Sequence, residues 1–192
     1  MKKEPVLQRC SWSGADPQMI AYHDTEWGLP NRHDKHHFEF LILEAAQAGL
    51  SWRIVLNKRE GYRKAFHDFD PVRVSKMGER DITRLVKDPS IIRNRLKISA
   101  AITNAKPFLA IQREFGSFDA YLWSFVKGQV RNRIRTSADI PAKTALSDLV
   151  SADLKKRGFK FVGSTVIYAH LQAVGVVNDH ELTCFRRKPC SK

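Results

Sequence analysis

Cysteine is scarce in this sequence, with three residues among 192, at positions 10, 184 and 190. So low and odd a number of thiols excludes the disulfide framework that holds many small secreted domains together. No partner can be assigned to Cys190. Long apolar runs are missing too, since no stretch approaches the roughly 20 apolar residues that cross a bilayer. Residues 1–12 carry lysines without the apolar segment of a signal peptide, so we expect a cytoplasmic location and no membrane association.

The alternation of apolar and polar residues that marks a half-buried strand is also missing. Apolar residues recur instead at helical spacing, as in Phe38, Leu41, Ile42, Ala45 and Ala48. This pattern predicts helices over residues 34–49, 51–66, 81–86, 93–115, 118–126, 144–156 and 163–174. Ser51, Asp81 and Thr144 are suitable N-cap residues, and Pro107 is expected to kink or split its helix. The predicted fold class is all-α, in a single unit of residues 1–192 without repeats.

Acidic residues are few, because 20 Asp and Glu stand against 33 Lys and Arg and the net charge is +13. Such an excess favours a polyanionic partner, and nucleic acid is the first candidate. A basic surface that serves solubility, or contact with a membrane or a ribosome, is the alternative. Basic residues are spread along the chain with aromatic residues among them.

Two cysteines and two histidines lie near the two ends of the chain: Cys10, His23, His180 and Cys184. A spacing of four places His180 and Cys184 on one face of a predicted helix, which Asn178 or Asp179 would cap. Two thiolates and two imidazoles form a tetrahedral set that suits zinc. With no open position, such a zinc ion would be structural and would join the two ends. The alternative is a chance spacing, with Cys10 as a small buried residue.

Glu44 is an unusual residue on its helix, because Leu41, Ala45 and Ala48 are its neighbours on the same face. A carboxylate there would be partly buried, and would then be paired or functional. Aromatic residues with Glu44 and Gln47 suggest a pocket for a positively charged purine, formed by Trp12, Tyr22, Trp27 and Trp52. The alternative is a glutamate that is exposed on the helix face or caps a nearby backbone, with aromatic side chains that pack in the core.

Several segments together resemble one known family. They are RCSW at 9–12, DPQMIAYHDTEWGLP at 16–30, LILEAAQAGLSW at 41–52, IIRNRLKISAAITNA at 91–105, LKKRGFKFVGST at 154–165 and VNDH at 177–180. These segments and their order resemble the sequence pattern of the 3-methyladenine DNA glycosylase I family, which belongs to the helix-hairpin-helix DNA glycosylase superfamily. The resemblance extends over about residues 9–184. The resemblance implies a zinc site at Cys10, His23, His180 and Cys184, joining regions of roughly 9–30 and 163–185. It implies a base pocket at Trp12, Tyr22, Trp27, Glu44 and Trp52, with Gln47 as a further polar contact.

The resemblance also places a helix-hairpin-helix element at roughly residues 82–105. Backbone amides of its turn would hold DNA phosphates, with Arg93, Arg95 and Lys97 as candidate side-chain contacts. It implies hydrolytic removal of 3-methyladenine from alkylated double-stranded DNA by a monomer. Glu44 is the candidate catalytic residue, with recognition of the base as its first role and electrostatic stabilisation of the sugar cation as its second. No lysine stands where a Schiff-base nucleophile is expected after the hairpin, so no strand-cleaving lyase activity is predicted.

One departure from the family pattern is Met19, where tyrosine is often found. Methionine can lie against a ring but offers no phenol, so the range of alkylated bases could differ. A related glycosylase with another base range is therefore one alternative. The others are a zinc-stabilised DNA-binding protein without catalysis, and an RNA-binding protein, for which the sequence shows no motif.

Overall fold

The computed structural model describes residues 7–187, which form ten α-helices and one pair of short strands. The helices are α1 (Pro17–Thr25), α2 (Asp34–Gln47), α3 (Trp52–Asn57), α4 (Arg59–Ala65), α5 (Pro71–Val74), α6 (Glu79–Leu85), α7 (Arg95–Phe115), α8 (Phe118–Trp123), α9 (Ala145–Lys156) and α10 (Ser164–Ala173). Parallel strands β1 (Val130–Arg131) and β2 (Val177–Asn178) pair Val130 with Val177. A mostly helical fold is confirmed, whereas the strand pair was not predicted. Cys190 lies outside the described residues.

The predicted helix starts hold in part. Thr144 caps α9, because its hydroxyl accepts a hydrogen bond from the Ser147 amide at 3.2 Å. Ser51 precedes α3, but its side chain makes no capping hydrogen bond. The prediction for Asp81 is wrong, since α6 begins at Glu79. Asp81 lies in the first turn and reaches back to accept a hydrogen bond from the Gly78 amide at 3.1 Å, which satisfies one unpaired helix donor.

Two predicted helices differ from the structure in continuity. The segment 51–66 forms two helices, α3 and α4, with Lys58 between them. Conversely, Pro107 does not split α7, which runs unbroken from Arg95 to Phe115. Proline removes one backbone donor. The apolar face of α7, with Ile98, Phe108 and Ile111 buried, keeps the helix in place around that missing bond.

The predicted helix over His180 and Cys184 is wrong. Both residues follow β2 in a segment without helical structure. There the Asn178 side-chain oxygen accepts the His180 amide at 3.3 Å, and the Cys184 amide donates to the Glu181 carbonyl at 3.0 Å. A short polar side chain that satisfies the backbone locally competes with helix formation, so the segment forms turns instead.

The core is built around α2, which packs against α3, α7, α8 and α10. Ten consecutive residues of α2, His37–Ala46, are buried, so this helix has no solvent-facing side along that stretch. Phe38, Phe40 and Leu43 are fully enclosed. A side chain at position 44 is therefore buried whatever its polarity. No helix within residues 7–187 is long and apolar enough to cross a membrane.

Helices α6 and α7 form a helical hairpin whose turn covers residues 86–94. Helix α4 fixes the position of this turn. Lys58 Nζ donates to the Pro89 carbonyl at 2.6 Å, and the Tyr62 hydroxyl accepts the Ile92 amide at 3.3 Å. Gly61 permits the close approach, because a Cβ there would lie 2.2 Å from the Ser90 carbonyl oxygen.

Candidate functional site

An open cavity of about 370 Å³ lies among α1, α2, α3 and α10. A volume of this size is within the range of small-molecule sites in proteins. All six residues of the predicted pocket line it, namely Trp12, Tyr22, Trp27, Glu44, Gln47 and Trp52. Four more lining residues were not predicted: Ser137, Ile140, Ala169 and Gln172.

The aromatic wall of the cavity is assembled from three separate segments. Trp12 belongs to a short 3-10 turn, Ser11–Ser13, Tyr22 lies on α1, and Trp52 opens α3. The rings of Trp12 and Trp27 meet edge to face, with centroids 4.9 Å apart. Those of Tyr22 and Trp52 are 5.2 Å apart and tilted by 45°. Flat ligands and cations are both attracted to such aromatic faces.

Glu44 contributes an acidic group to this apolar setting. It is 4% exposed, and its carboxyl forms no hydrogen bond with any residue in the range 7–187. Burial raises the pKa of Glu44 from 4.5 to about 8, because the charged form loses its hydration. Burial, followed by the nearby Glu44, also raises the pKa of Tyr22 well above its ordinary value. A buried carboxyl without a protein partner, facing a cavity, is a group prepared to bind a ligand.

The four predicted metal ligands come together from the two ends of the described chain. Cys10, His23, His180 and Cys184 are all buried, and one ligand atom of each lies within 4.8 Å of the others. The Cys184 sulfur is 3.3 Å from His23 Nε2. Hydrogen bonding with Cys10, followed by that with His23, lowers the pKa of the Cys184 thiol below its ordinary value. The cluster thus provides a thiolate and imidazoles at the close spacing that a tetrahedral metal site requires.

The outer nitrogens of both histidine rings are held by oxygen atoms. His23 Nδ1 lies 2.8 Å from Asp24 Oδ1, and His180 Nδ1 lies 2.9 Å from Asn178 Oδ1. Contacts of this kind orient metal-binding histidines. His180 Nε2 is buried and has no hydrogen-bond partner among residues 7–187. A buried ring nitrogen without a hydrogen-bond partner, beside two thiols, is suited to binding a metal ion. The two sulfur and two nitrogen donors therefore fit zinc.

The cluster also supports the cavity. The ring of His180 lies 4.6 Å from that of Trp27, and His23 lies 5.3 Å from Trp12. Gly28 leaves the necessary space, because a Cβ there would lie 2.6 Å from His180 Cε1. The two ends of the chain therefore hold two aromatic residues of the cavity in position.

The three basic residues predicted to contact DNA differ in their surroundings. Arg93 is exposed in the turn of the helical hairpin and forms no ion pair with any described residue. Arg95 pairs with Glu79 and so links α7 to α6. Lys97 donates to the Ala46 carbonyl at 2.8 Å and to the Ala48 carbonyl, and thereby caps the end of α2.

Met19, the residue that departs from the family pattern, does not line the cavity. It lies in a neighbouring cleft of about 510 Å³ that shares Trp12 and Trp52 with the cavity and also contains Arg53. Of the unpredicted lining residues, Gln172 had a detectable signal, because it is a polar residue on the strongly apolar helix α10. Ser137 and Ile140 come from a segment without apolar periodicity, so the sequence contains no signal that would have identified them.

The helical architecture of this chain matches that of solved DNA glycosylases. A crystal structure of 3-methyladenine DNA glycosylase I matches with a TM-score of 0.91 and 48% identity, over 94% of this chain and 100% of that one. A variant of 3-methyladenine DNA glycosylase I in complex with 3-methyladenine matches with a TM-score of 0.90 and 35% identity, over 94% and 97%.

Sequence comparison identifies the family within this class of DNA glycosylases. DNA-3-methyladenine glycosylase 1 of Escherichia coli is 50% identical over 179 residues, which cover 93% of this chain and 96% of that protein. The family model described as methyladenine glycosylase matches residues 12–187. The chain therefore belongs to the methyladenine glycosylase family.

Proposed function

We propose that this chain hydrolyses the bond between 3-methyladenine and deoxyribose in alkylated double-stranded DNA, without cleaving the strand. The observation that carries the proposal is Glu44, a buried carboxyl inside an aromatic cavity with no hydrogen-bond partner among residues 7–187. The family to which the chain belongs supports the same activity.

Recognition rests on the charge of the damaged base. Methylation at N3 gives adenine a positive charge. The faces of Trp12, Tyr22 and Trp52 attract this charge, and each cation–π contact is worth about 0.5–2 kcal/mol. Glu44 accepts a hydrogen bond from the exocyclic amino group of the base. An unmodified adenine carries no charge and gains less from both interactions. Extrusion of the nucleotide from the duplex costs a few kcal/mol, and less at a damaged base pair.

The chemical step requires little acid catalysis, because the departing base is already cationic. The bond from C1′ of the sugar to the base breaks, and its electron pair passes into the ring and cancels the charge. A water oxygen forms a new bond to C1′ and loses a proton to solvent. Free 3-methyladenine and an abasic sugar result. We assign Glu44 first to holding the base and second to stabilising positive charge on the sugar.

DNA binding is assigned to the helical hairpin. We propose that residues 82–105 form the helix-hairpin-helix element, and that amides in the turn and the first turn of α7 hold phosphates. Arg93 has the exposure that a phosphate contact requires. Contacts of Arg95 and Lys97 with DNA stay predictions, and each side chain would first leave its present partner.

We further propose that Cys10, His23, His180 and Cys184 hold one structural zinc ion between regions 9–30 and 163–185 of a single unit. A bound zinc ion would supply stability there, because four protein ligands leave no position for water. Elemental analysis is expected to give one zinc per chain. We expect the protein to act as a monomer in the cytoplasm.

The test of the activity is chromatography of bases released from methylated DNA. Glu44→Gln is expected to lower release of 3-methyladenine by about 100-fold, because a carboxylate hydrogen bond to a charged base is worth roughly 1.5–3 kcal/mol. Glu114→Gln is the matched control, since Glu114 is exposed and pairs with Arg157 away from the cavity. Release by Glu44→Gln at the parent rate would contradict the assignment.

The same assay separates the alternatives. A non-catalytic DNA-binding protein would release no base. A glycosylase of different range would release 3-methylguanine or 7-methylguanine in preference to 3-methyladenine, and Met19→Tyr would then be expected to change the ratio of released bases.

A further inference from the structure

Gln172 places an amide group in the wall of the cavity that the sequence did not predict. It lies in the last turn of α10, whereas Glu44 lies on α2, and these two helices pack against each other. Gln172 is 7% exposed and lines the cavity. Its Nε2 donates a hydrogen bond to Asp179 at 2.8 Å, while its Oε1 receives none within residues 7–187.

Asp179 fixes the orientation of this amide. Its side chain is fully buried and accepts hydrogen bonds from three side chains of the described chain. Asn132 donates to one carboxylate oxygen at 2.8 Å, and the Tyr168 hydroxyl and Gln172 Nε2 donate to the other. An ionised carboxylate only accepts hydrogen bonds. A rotated Gln172 would present its oxygen to Asp179, and two acceptors would then meet without a hydrogen. The amide oxygen of Gln172 is therefore the atom left for the cavity.

We propose that Gln172 Oε1, held by Asp179, is a second hydrogen-bond acceptor that selects a 6-amino purine over a 6-oxo purine. The proposal rests on the proposed function and specifies how its substrate is chosen. An exocyclic amino group has two hydrogens, and Glu44 and Gln172 provide two acceptors on different helices. A 6-oxo purine presents an oxygen in the same place, which would meet the Gln172 oxygen without a hydrogen between them. A site built for one hydrogen-bond pattern rejects the opposite one, because buried polar groups are left unpaired.

The first test removes the acceptor. Gln172→Met keeps the length of the side chain and deletes the amide. It is expected to lower release of 3-methyladenine from methylated DNA about 10-fold, with release of 3-methylguanine unchanged or increased. Gln112→Met is the matched control, because Gln112 also donates to an aspartate, Asp34 at 2.6 Å, but lies on α7 away from the cavity. That control is expected to leave both rates at the parent level.

The second test reverses the orientation. In Asp179→Asn the new amide nitrogen can donate to Gln172 Oε1, which turns the Gln172 N–H groups towards the cavity. The ratio of 3-methyladenine to 3-methylguanine release is then expected to fall about 10-fold or more. Asp179 is a positioning residue here, and a merely structural role would lower both rates together. Because Asp179 precedes His180, the zinc content and thermal midpoint of the variant are measured alongside.

Two outcomes would overturn the proposal. One is a release ratio that stays within about twofold of the parent in both variants, and the other is an equal loss of both rates in Gln172→Met. If Asp179→Asn fails to fold, Gln172→Met decides alone. Failure of the proposed function is distinguishable, since the parent protein itself would then release no 3-methyladenine.

Discussion

The buried carboxyl of Glu44 lowers the free energy of unfolding, although it is the group proposed to bind the base. Because burial raises its pKa from 4.5 to about 8, the folded protein keeps a proton that the unfolded chain loses above pH 4.5. The unfolded state is therefore favoured progressively as pH rises from 4.5 to 8, and the free energy of unfolding falls across that window. Glutamine has no proton to lose and is free of this penalty.

We predict that Glu44→Gln is more stable than the parent, by an amount that grows with pH between 4.5 and 8. The limiting slope is about 1.4 kcal/mol per pH unit for one group. Urea unfolding at several pH values measures it. Glu114→Gln is again the control, because contact with Arg157 lowers the pKa of Glu114 and moves its effect below pH 4.5. A stability difference that is the same at pH 5 and pH 8 would rule out the linkage.

Individual site residues were predictable to different degrees. Glu44 stood out because the period of α2 is apolar around it. Its pairing with Trp12, Tyr22, Trp27 and Trp52 was suggested by the residues themselves and then implied by the family resemblance. Gln172 was not assigned, since its significance depends on Asp179, which only the folded chain brings within 2.8 Å. The assignment of Asp179 as a helix cap was wrong, because no helix follows it and its side chain instead binds Asn132, after β1, and Tyr168 and Gln172, on α10.

At the scale of elements, the hairpin turn depends on its neighbour α4. Gly61 allows the turn to pack closely, and Lys58 and Tyr62 on either side bind its backbone. A methyl group at position 61 would collide with backbone, which cannot move aside as a flexible side chain can.

Gly61→Ala is thus expected to displace the turn and weaken binding to duplex DNA several-fold, while binding of free 3-methyladenine stays unchanged. Fluorescence anisotropy with duplex DNA at fixed salt measures the first, and tryptophan fluorescence measures the second. Gly78→Ala is the control, because a Cβ at position 78 has open space around it. Equal DNA affinity of the two variants would contradict the role given to α4.

Helices were predictable where a periodic apolar face extended over many residues, as in α2, α7, α9 and α10. The break at Lys58 was not, because α3 and α4 each follow their own packing surface and the sequence between them contains no proline or glycine. The segment after β2 was predicted as helix on spacing alone. Hydrogen bonds of Asn178 and contacts with the distant N-terminal segment decide its actual form.

For the molecule as a whole, acid sensitivity resides in a buried histidine group between α2 and α10. His36 and His37 lie on α2, and His170 on α10 is 5.8 Å from His37 between ring centroids. Burial, followed by neighbouring histidines, lowers the pKa of His170 well below its ordinary value, and burial lowers that of His36 to about 3. His37 faces Asp119 at 3.2 Å, and His36 faces Glu39 at 4.0 Å.

Because the unfolded chain binds protons at His36 and His170 below pH 6.5 and the folded chain does not, stability falls as pH drops from about 6.5 towards 3. We predict that His170→Phe flattens this dependence by up to about 1.4 kcal/mol per pH unit. Phe118 and His37 beside position 170 offer an aromatic setting for the new ring. Unfolding midpoints between pH 4 and 7 measure the effect, and a slope equal to that of the parent would exclude His170 as the source.

The first and last described segments also meet through the backbone, since the Phe185 amide donates to the Gln8 carbonyl at 2.9 Å. Glu181 reaches back to Ser11 at 2.8 Å in the same place. A stretching force applied between the two ends would therefore act on these hydrogen bonds before it reached any helix. Once they broke, Trp12 and Trp27 would lose their support, so mechanical unfolding would begin beside the aromatic cavity.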